Sequence, residues 1–326
     1  MKATCLPTWQ PCRIALRPDE NRDNAGENIM KLLIAIDTSP STDAVISEVS
    51  ARPWPEGTVA RVLNVVDSRL VSTDFIDVDA YSKTEVDSAH ALVESLADRL
   101  TSRGIGSVGV VIEGYPRTKI VEYAREWEAD FIFVGSHGHG SITRFFLGSV
   151  AKAVTRSAPC SVEIVRPTAH RQGGETSAMR VLLATDGSAC SAAAARSVAS
   201  RPWPEQSEFR IVSAVDLVVP VIEPWYGAPN LISRIERETS KLAEQAIRAS
   251  ETILCGAGLF TSEAVLVGNP KVSILDEAKD WDANLVVVGS HGRRGIDRAL
   301  QGSVSEAVAL HAHCSVEVIR ERDNLY

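Results

Sequence analysis

The residues best suited to chemistry lie in two glycine-rich segments. Gly135-Ser136-His137-Gly138 is followed by nine residues and then Gly148-Ser149. Gly289-Ser290-His291-Gly292 is followed by nine residues and then Gly302-Ser303. Glycine admits positive φ and lets a ligand approach the backbone closely. Successive N–H groups in such a loop form a nest for an anion. A Gly-Ser pair that opens a helix adds free N–H groups, the positive end of the helix dipole and a hydroxyl. The chemistry this points to is phosphate binding. One short Gly-x-x-Gly is equally well read as a plain strand-to-helix turn. The nine-residue spacing, present in both segments, is the more specific signal.

Other side chains offer sharper and blander readings. Asp37 and Asp186 each close an apolar run, where a carboxylate caps the following turn or contacts a ligand, and the two roles are compatible. His137 and His291 sit at matching places in the glycine segments. A general base would need a paired carboxylate at fixed spacing, which neither segment has, so loop geometry or a ribose contact is the simpler reading. Arg293 and Arg294 stand where the first segment has His139 and Gly140. They suit phosphate contact and solvated surface charge about equally. His311, His313 and Cys314 suggest a metal cluster, but no fourth ligand has matching spacing, and Cys160, the match of Cys314, lacks the histidines.

The elements that must hold these groups come from a chain written twice. Lys31 to Asp37 (KLLIAID) matches Arg180 to Asp186 (RVLLATD), and Arg52-Pro-Trp-Pro-Glu56 recurs as Arg201-Pro-Trp-Pro-Glu205, both 149 positions later. The glycine segments and Cys160-Ser-Val-Glu163 recur 154 positions later. The second copy therefore gained five residues between Asp216 and Gly258, and Val219 to Asn230, with three prolines, is the expected place. The repeated Arg-Pro-Trp-Pro-Glu reads as a packed helix-to-strand corner.

Within the first copy, Leu32 to Ile36 is a short apolar run of the kind buried on both faces of a sheet. Thr38-Ser39-Pro40-Ser41 offers N-cap residues for a helix to about Ala51. Val59 to Val66 is a second strand. Ala80 to Arg103 has helical apolar spacing, with Gly104 as C-cap. Val108 to Ile112 is a third strand, and Pro116 opens a helix to about Glu128. Phe131 to Val134, a helix from Leu147 to Ser157, and Ser161 to Val165 complete the copy. The second copy repeats the order. Each is βαβαβαβαβ, which requires crossover connections, hence α/β: two tandem doubly wound parallel-sheet domains with helices on both faces. Ligands in such sheets bind beyond the carboxyl ends of the strands, where strand order reverses.

Domain limits follow: an N-terminal extension over 1–29, a first domain over 30–167, a polar linker over 168–178 and a second domain over 179–326. Residues 1–29 carry breakers and no sustained period, and Met30, just before the first core segment, is the expected start. The 326 residues hold 44% hydrophobic and 23% charged residues, which excludes a mainly disordered chain. Thirty-four Lys and Arg against 42 Asp and Glu leave a net charge of −8, which argues against a generally basic nucleic-acid binder. Apolar runs such as Leu285 to Val288 fall far short of the ~20 residues that span a membrane. Six scattered cysteines without a CxxC pair fit a reducing cytoplasm.

The Gly-2x-Gly-9x-Gly-Ser pattern, the first-strand Asp and the duplication resemble the universal stress protein family in its tandem two-domain, ATP-binding form. The resemblance covers nearly all of residues 30–320. It implies five strands per domain in the order 3-2-1-4-5. It also implies that Asp37 and Asp186 contact adenine and that Val65 and Ala214 contact it through the backbone. Gly135, Gly138, Gly148, Ser149, Gly289, Gly292, Gly302 and Ser303 would surround ribose and phosphates. Magnesium is implied with ATP, although no carboxylate cage for it is visible. The two copies are implied to pair within the chain, Ser161 to Arg166 meeting Ser315 to Arg320 edge to edge; further homodimerisation is a matter for light scattering.

Three functions remain open at this stage. The first, and the one favoured, is a nucleotide-binding regulatory protein of the stress response. The second is a slow ATPase or adenylyl-transferring enzyme, disfavoured by the absence of His-x-Gly-His and Ser-Gly-Gly-x-Asp-Ser signatures. The third is a scaffold or chaperone-like protein whose sites are relics. No catalytic or metal residue is assigned.

Overall fold

The computed structural model describes residues 29–67, 78–138, 147–167, 177–216, 229–292 and 302–321, with backbone alone for 78–83 and 229–233. The first half runs β1 (Lys31–Ile36), α1 (Ser41–Ser50), β2 (Val59–Val66), α2 (Val78–Thr101), β3 (Gly106–Glu113), α3 (Pro116–Glu126), β4 (Phe131–Gly135), α4 (Ser149–Ser157) and β5 (Ser161–Val165). The second half repeats it as β6 (Arg180–Ala184), α5 (Ala189–Ala199), β7 (Glu208–Val215), α6 (Pro229–Gly256), β8 (Thr261–Val267), α7 (Pro270–Asp280), β9 (Leu285–Gly289), α8 (Ser303–His311) and β10 (Ser315–Ile319).

All ten strands form one sheet in the order β3-β2-β1-β4-β5-β10-β9-β6-β7-β8. Each half is thus parallel with internal order 3-2-1-4-5, as expected, and order reverses between its first and fourth strands. The continuous apolar runs are explained by burial on both faces. Leu32, Ile34 and Ile36 join one core layer with residues of α1 and α2. Leu33 and Ala35 join the other with residues of α3 and α4. The second half divides its strands in the same way.

Several element ends differ from expectation, each for a local reason. Helix α2 stops at Thr101, and Gly104, at φ +87°, completes the turn while the Ile105 amide bonds the Leu100 carbonyl at 3.1 Å. Helix α3 stops at Glu126 rather than about Glu128, because Glu128 takes φ 56°. Helix α4 starts at Ser149 rather than Leu147, since the Gly148 amide turns back to the Ser136 carbonyl at 2.7 Å. The hydroxyls before α1 do not cap it: its N-cap is Pro40, with no side-chain cap. The expected insertion over Val219 to Asn230 lies outside the described residues up to 228, as do 1–28 and most of the linker.

The halves meet as expected through their last strands. β5 and β10 pair antiparallel, Glu163 opposite Glu317. Two arginines seal the join reciprocally. Arg166 of the first half donates to the Ala309 and Leu310 carbonyls at the end of α8, at 2.6 and 3.2 Å. Arg320 of the second half donates to the Thr155 and Arg156 carbonyls at the end of α4, at 2.8 and 2.9 Å. Each cation thus meets the negative end of the other half's helix.

Candidate functional site

The described ends of the glycine segments sit at the carboxyl edge of the sheet, where β1 adjoins β4 and β6 adjoins β9. Asp37 follows β1 directly. Its Oδ1 accepts from the Ser39 amide at 2.9 Å and from the Ser39 hydroxyl at 2.5 Å. Asp186 Oδ1 accepts from the Ser188 amide at 3.0 Å. Both aspartates therefore brace the turn into the next helix, the blander of their two sequence readings. The other oxygen points across the loop. A Cβ built on Gly138 would lie 2.9 Å from Asp37 Oδ2, and one on Gly292 2.7 Å from Asp186 Oδ2. In each half the strand-end carboxylate and the second loop glycine are in contact, and only glycine leaves room for that.

The first loop glycine has a different cause. A Cβ on Gly135 would lie 2.7 Å from Ser41 Cβ, and one on Gly289 2.7 Å from the Cys190 carbonyl carbon. These glycines admit the first turns of α1 and α5 against the sheet, which is helix packing rather than an opening for a ligand. The third glycine returns the chain to the loop. The Gly148 amide donates to the Ser136 carbonyl at 2.7 Å and the Gly302 amide to the Ser290 carbonyl at 2.8 Å. Gly148 and Gly302 are the N-caps of α4 and α8, and neither helix has a side-chain cap. Ser149 and Ser303 are the first helical residues. The opening N–H groups of both helices thus face the loop with no capping side chain among the described residues, the arrangement that accepts an anion.

The β1–β2 register ends on Ile36 opposite Asn64, which sets Val65 level with Asp37. Likewise Ala184 lies opposite Val212, which sets Ala214 level with Asp186. The structure therefore brings all twelve sequence-selected residues to two equivalent places at one edge of the sheet. Serines bind the loops down in ways the sequence does not signal. The Ser41 hydroxyl donates to the His137 carbonyl at 2.6 Å, and the Ser188 hydroxyl to the His291 carbonyl at 3.3 Å. The amides of Ser136 and Ser290 donate to Val165 and Ile319 at the ends of the joined strands β5 and β10.

The loop histidines turn toward their neighbours: His137 Nδ1 lies 2.9 Å from the Ser136 hydroxyl, and His291 Nδ1 3.0 Å from that of Ser290. His291 Nε2 is buried with no hydrogen-bond partner among the described residues. A buried polar atom of this kind fits a site completed by a bound group. Residues 293–301, with Arg293 and Arg294, lie outside the described residues, as do His139 and Gly140. Among the described residues no group of three or more His, Cys, Asp or Glu side chains is placed to hold a metal. Cys314 is buried in the core, where burial pushes its thiol up to about 12.

Sequence reasoning missed a second constellation. Arg52 and Arg201 of the repeated corner motif are buried against Glu163 and Glu317. The Trp of each motif donates to a carbonyl at the end of the preceding helix, Trp54 to Val49 and Trp203 to Val198, both at 2.8 Å. The signal was present in the glutamates, each a lone charge flanked by apolar residues within a short strand.

The model of the universal stress protein family matches residues 28–166 and again 178–320. A universal stress protein of Methanocaldococcus jannaschii is 29% identical over 150 residues, which is 46% of this chain and 86% of that protein. A putative universal stress protein of Staphylococcus epidermidis is 28% identical over 137 residues, 41% of this chain and 82% of that protein. Among solved structures, a universal stress protein from Archaeoglobus fulgidus superposes with a TM-score of 0.60 at 21% identity, covering 90% of this chain and 97% of its own. A putative universal stress protein from Pseudomonas aeruginosa gives 0.58 at 18% identity, covering 91% and 95%. With the family's model matched over both halves, the chain belongs to the universal stress protein family and carries its domain twice.

Proposed function

We propose that this chain is an adenine-nucleotide-binding regulatory protein of the stress response, with ATP bound in each half. One observation carries the reading: in both halves the strand-end aspartate touches the second loop glycine while a helix N-terminus with a glycine as its N-cap is drawn onto the same loop. Asp37 and Asp186 would accept from adenine, with the backbone of Val65 and Ala214 beside them. The helix-start amides and the Ser149 and Ser303 hydroxyls would hold phosphate oxygens. Magnesium would enter on the nucleotide's own phosphates. A ligand that binds one conformation better than another shifts the chain toward it, and such a shift is what a regulatory protein transmits. No disulfide joins the described cysteines, which supports a reducing, cytoplasmic setting.

The test uses Gly148→Val with Gly302→Val. A side chain on Gly148 would lie 3.3 Å from the Ser136 carbonyl oxygen, and on Gly302 3.0 Å from that of Ser290, so each crowds the carbonyl that holds the helix start on its loop. Calorimetry with ATP is expected to show affinity reduced at least tenfold, about 1.4 kcal/mol or more. ATP affinity unchanged in the double variant would refute the assignment.

A further inference from the structure

The junction between the halves buries five charged side chains together. Glu163 and Glu317 stand opposite each other across the β5–β10 ladder, and both are fully buried. Like charges directly opposed on a sheet repel. The residues paired with them on their other sides are apolar, Phe133 of β4 for Glu163 and Val287 of β9 for Glu317. The cations come from the ends of two helices. Arg52, just after α1, spans Glu163 at 2.8 and 2.6 Å. Arg201, just after α5, spans Glu317 with two bonds of 2.7 Å.

The two halves differ at one point. Arg52 also bonds Glu48 of α1 and lies 3.4 Å from Glu317. The residue that matches Glu48 is Ser197, and its carbonyl accepts from Arg201 Nε at 3.0 Å. Arg201 bonds no carboxylate but Glu317 among the described residues. Glu163 therefore shares its guanidinium with two other carboxylates, and Glu317 has one largely to itself.

We propose that Glu163 and Glu317 form a proton-sharing pair, which makes the junction between the halves a pH-sensitive latch holding one proton near and below neutral pH. Two carboxyls confined to one dry site do not both ionise readily. Burial is the strongest influence on Glu163; Arg52 opposes it, Glu317 and Glu48 reinforce it, and the group is pushed up to about 8. Burial alone would also raise Glu317, but Arg201 and Arg52, with a hydrogen bond from Glu163, reverse this and hold it below the usual carboxylate range. The charged groups facing the pair are Glu48 and Arg52 from the α1 side and Arg201 from the α5 side; β4 and β9 present Phe133 and Val287. The proton belongs to the pair as a unit.

An unfolded glutamate releases its proton near pH 4.5, so between that pH and about 8 the folded chain holds a proton that the unfolded chain has lost. Stability therefore falls as pH rises through that window and levels off above about 8. Glu163→Gln keeps the shape and the neutral form, and removes the ionisation. Across the window, the ratio of the unfolding equilibrium constants of the wild type and Glu163→Gln is expected to rise by up to roughly tenfold per pH unit. Parallel pH profiles for the two proteins would overturn the proposal. Glutamate-labelled infrared spectra of the folded wild-type chain provide a second readout that needs no variant. A buried carboxylic-acid C=O band present at pH 6 and lost above pH 8 is expected; folded protein without that band at pH 6 would overturn the proposal equally.

Discussion

Asp37 Oδ1 accepts from both the amide and the hydroxyl of Ser39, and Asp186 Oδ1 accepts from the Ser188 amide. Each aspartate is thus a turn residue whose second oxygen borders the proposed adenine site. The two roles separate by mutation. Asp186→Ala is expected to cost about 1 kcal/mol of stability in urea unfolding, the worth of an ordinary hydrogen bond. It is also expected to weaken nucleotide binding in the second half. Asp186→Asn retains the turn acceptor, and so the stability. Equal stability for the Ala and Asn variants would show that the turn bond contributes nothing. At this scale the glycines and aspartates were legible because their spacing repeats. Ser41 was not, because its hydroxyl bonds a carbonyl 96 positions away. Nor was the burial of Arg52 and Arg201, because a charged residue reads as surface until its partner strand is placed beside it. Removing Arg201 as Arg201→Ala leaves Glu317 buried without its principal cation, and a loss of about 3–5 kcal/mol is expected in equilibrium unfolding. A loss under 1 kcal/mol would mean that the pair is solvated.

The strands were legible as elements because burial on both faces makes them continuously apolar, and the crossover order then required a parallel sheet. Helix ends were less legible, because they depend on tertiary contacts: α4 begins where the Gly148 amide reaches Ser136, and α1 begins without a side-chain cap because the nearby hydroxyls serve Asp37 and His137. The two halves also pack their second helices differently. A Cβ on Gly109 of β3 would lie 2.7 Å from Val93 Cγ2 and 2.9 Å from the Val93 carbonyl carbon of α2. The matching residue on β8 is Glu263, which is exposed. Helix α2 thus rests on β3 where a side chain does not fit. Gly109→Ala is expected to destabilise the protein by about 1–3 kcal/mol through overpacking. Unchanged thermal stability would show that α2 moves away freely.

Across the whole molecule, the duplication produces one ten-stranded sheet rather than two separate ones. The β5 and β10 edges that each half would expose alone are paired with each other. Arg166 and Arg320 cross the join to the other half's helix end, and the glutamates and arginines lie buried at its centre. Both candidate sites hang from this join, since Ser136 and Ser290 bond the last residues of β5 and β10. The edge pairing was legible through the family resemblance; the buried charges at its centre were not. The most direct measurement is chemical. The protein is purified without added nucleotide and denatured, and the released material is quantified by anion-exchange chromatography. The account predicts ATP approaching two molecules per chain, one for each loop. No released nucleotide, followed by no heat of ATP binding in calorimetry, would contradict it.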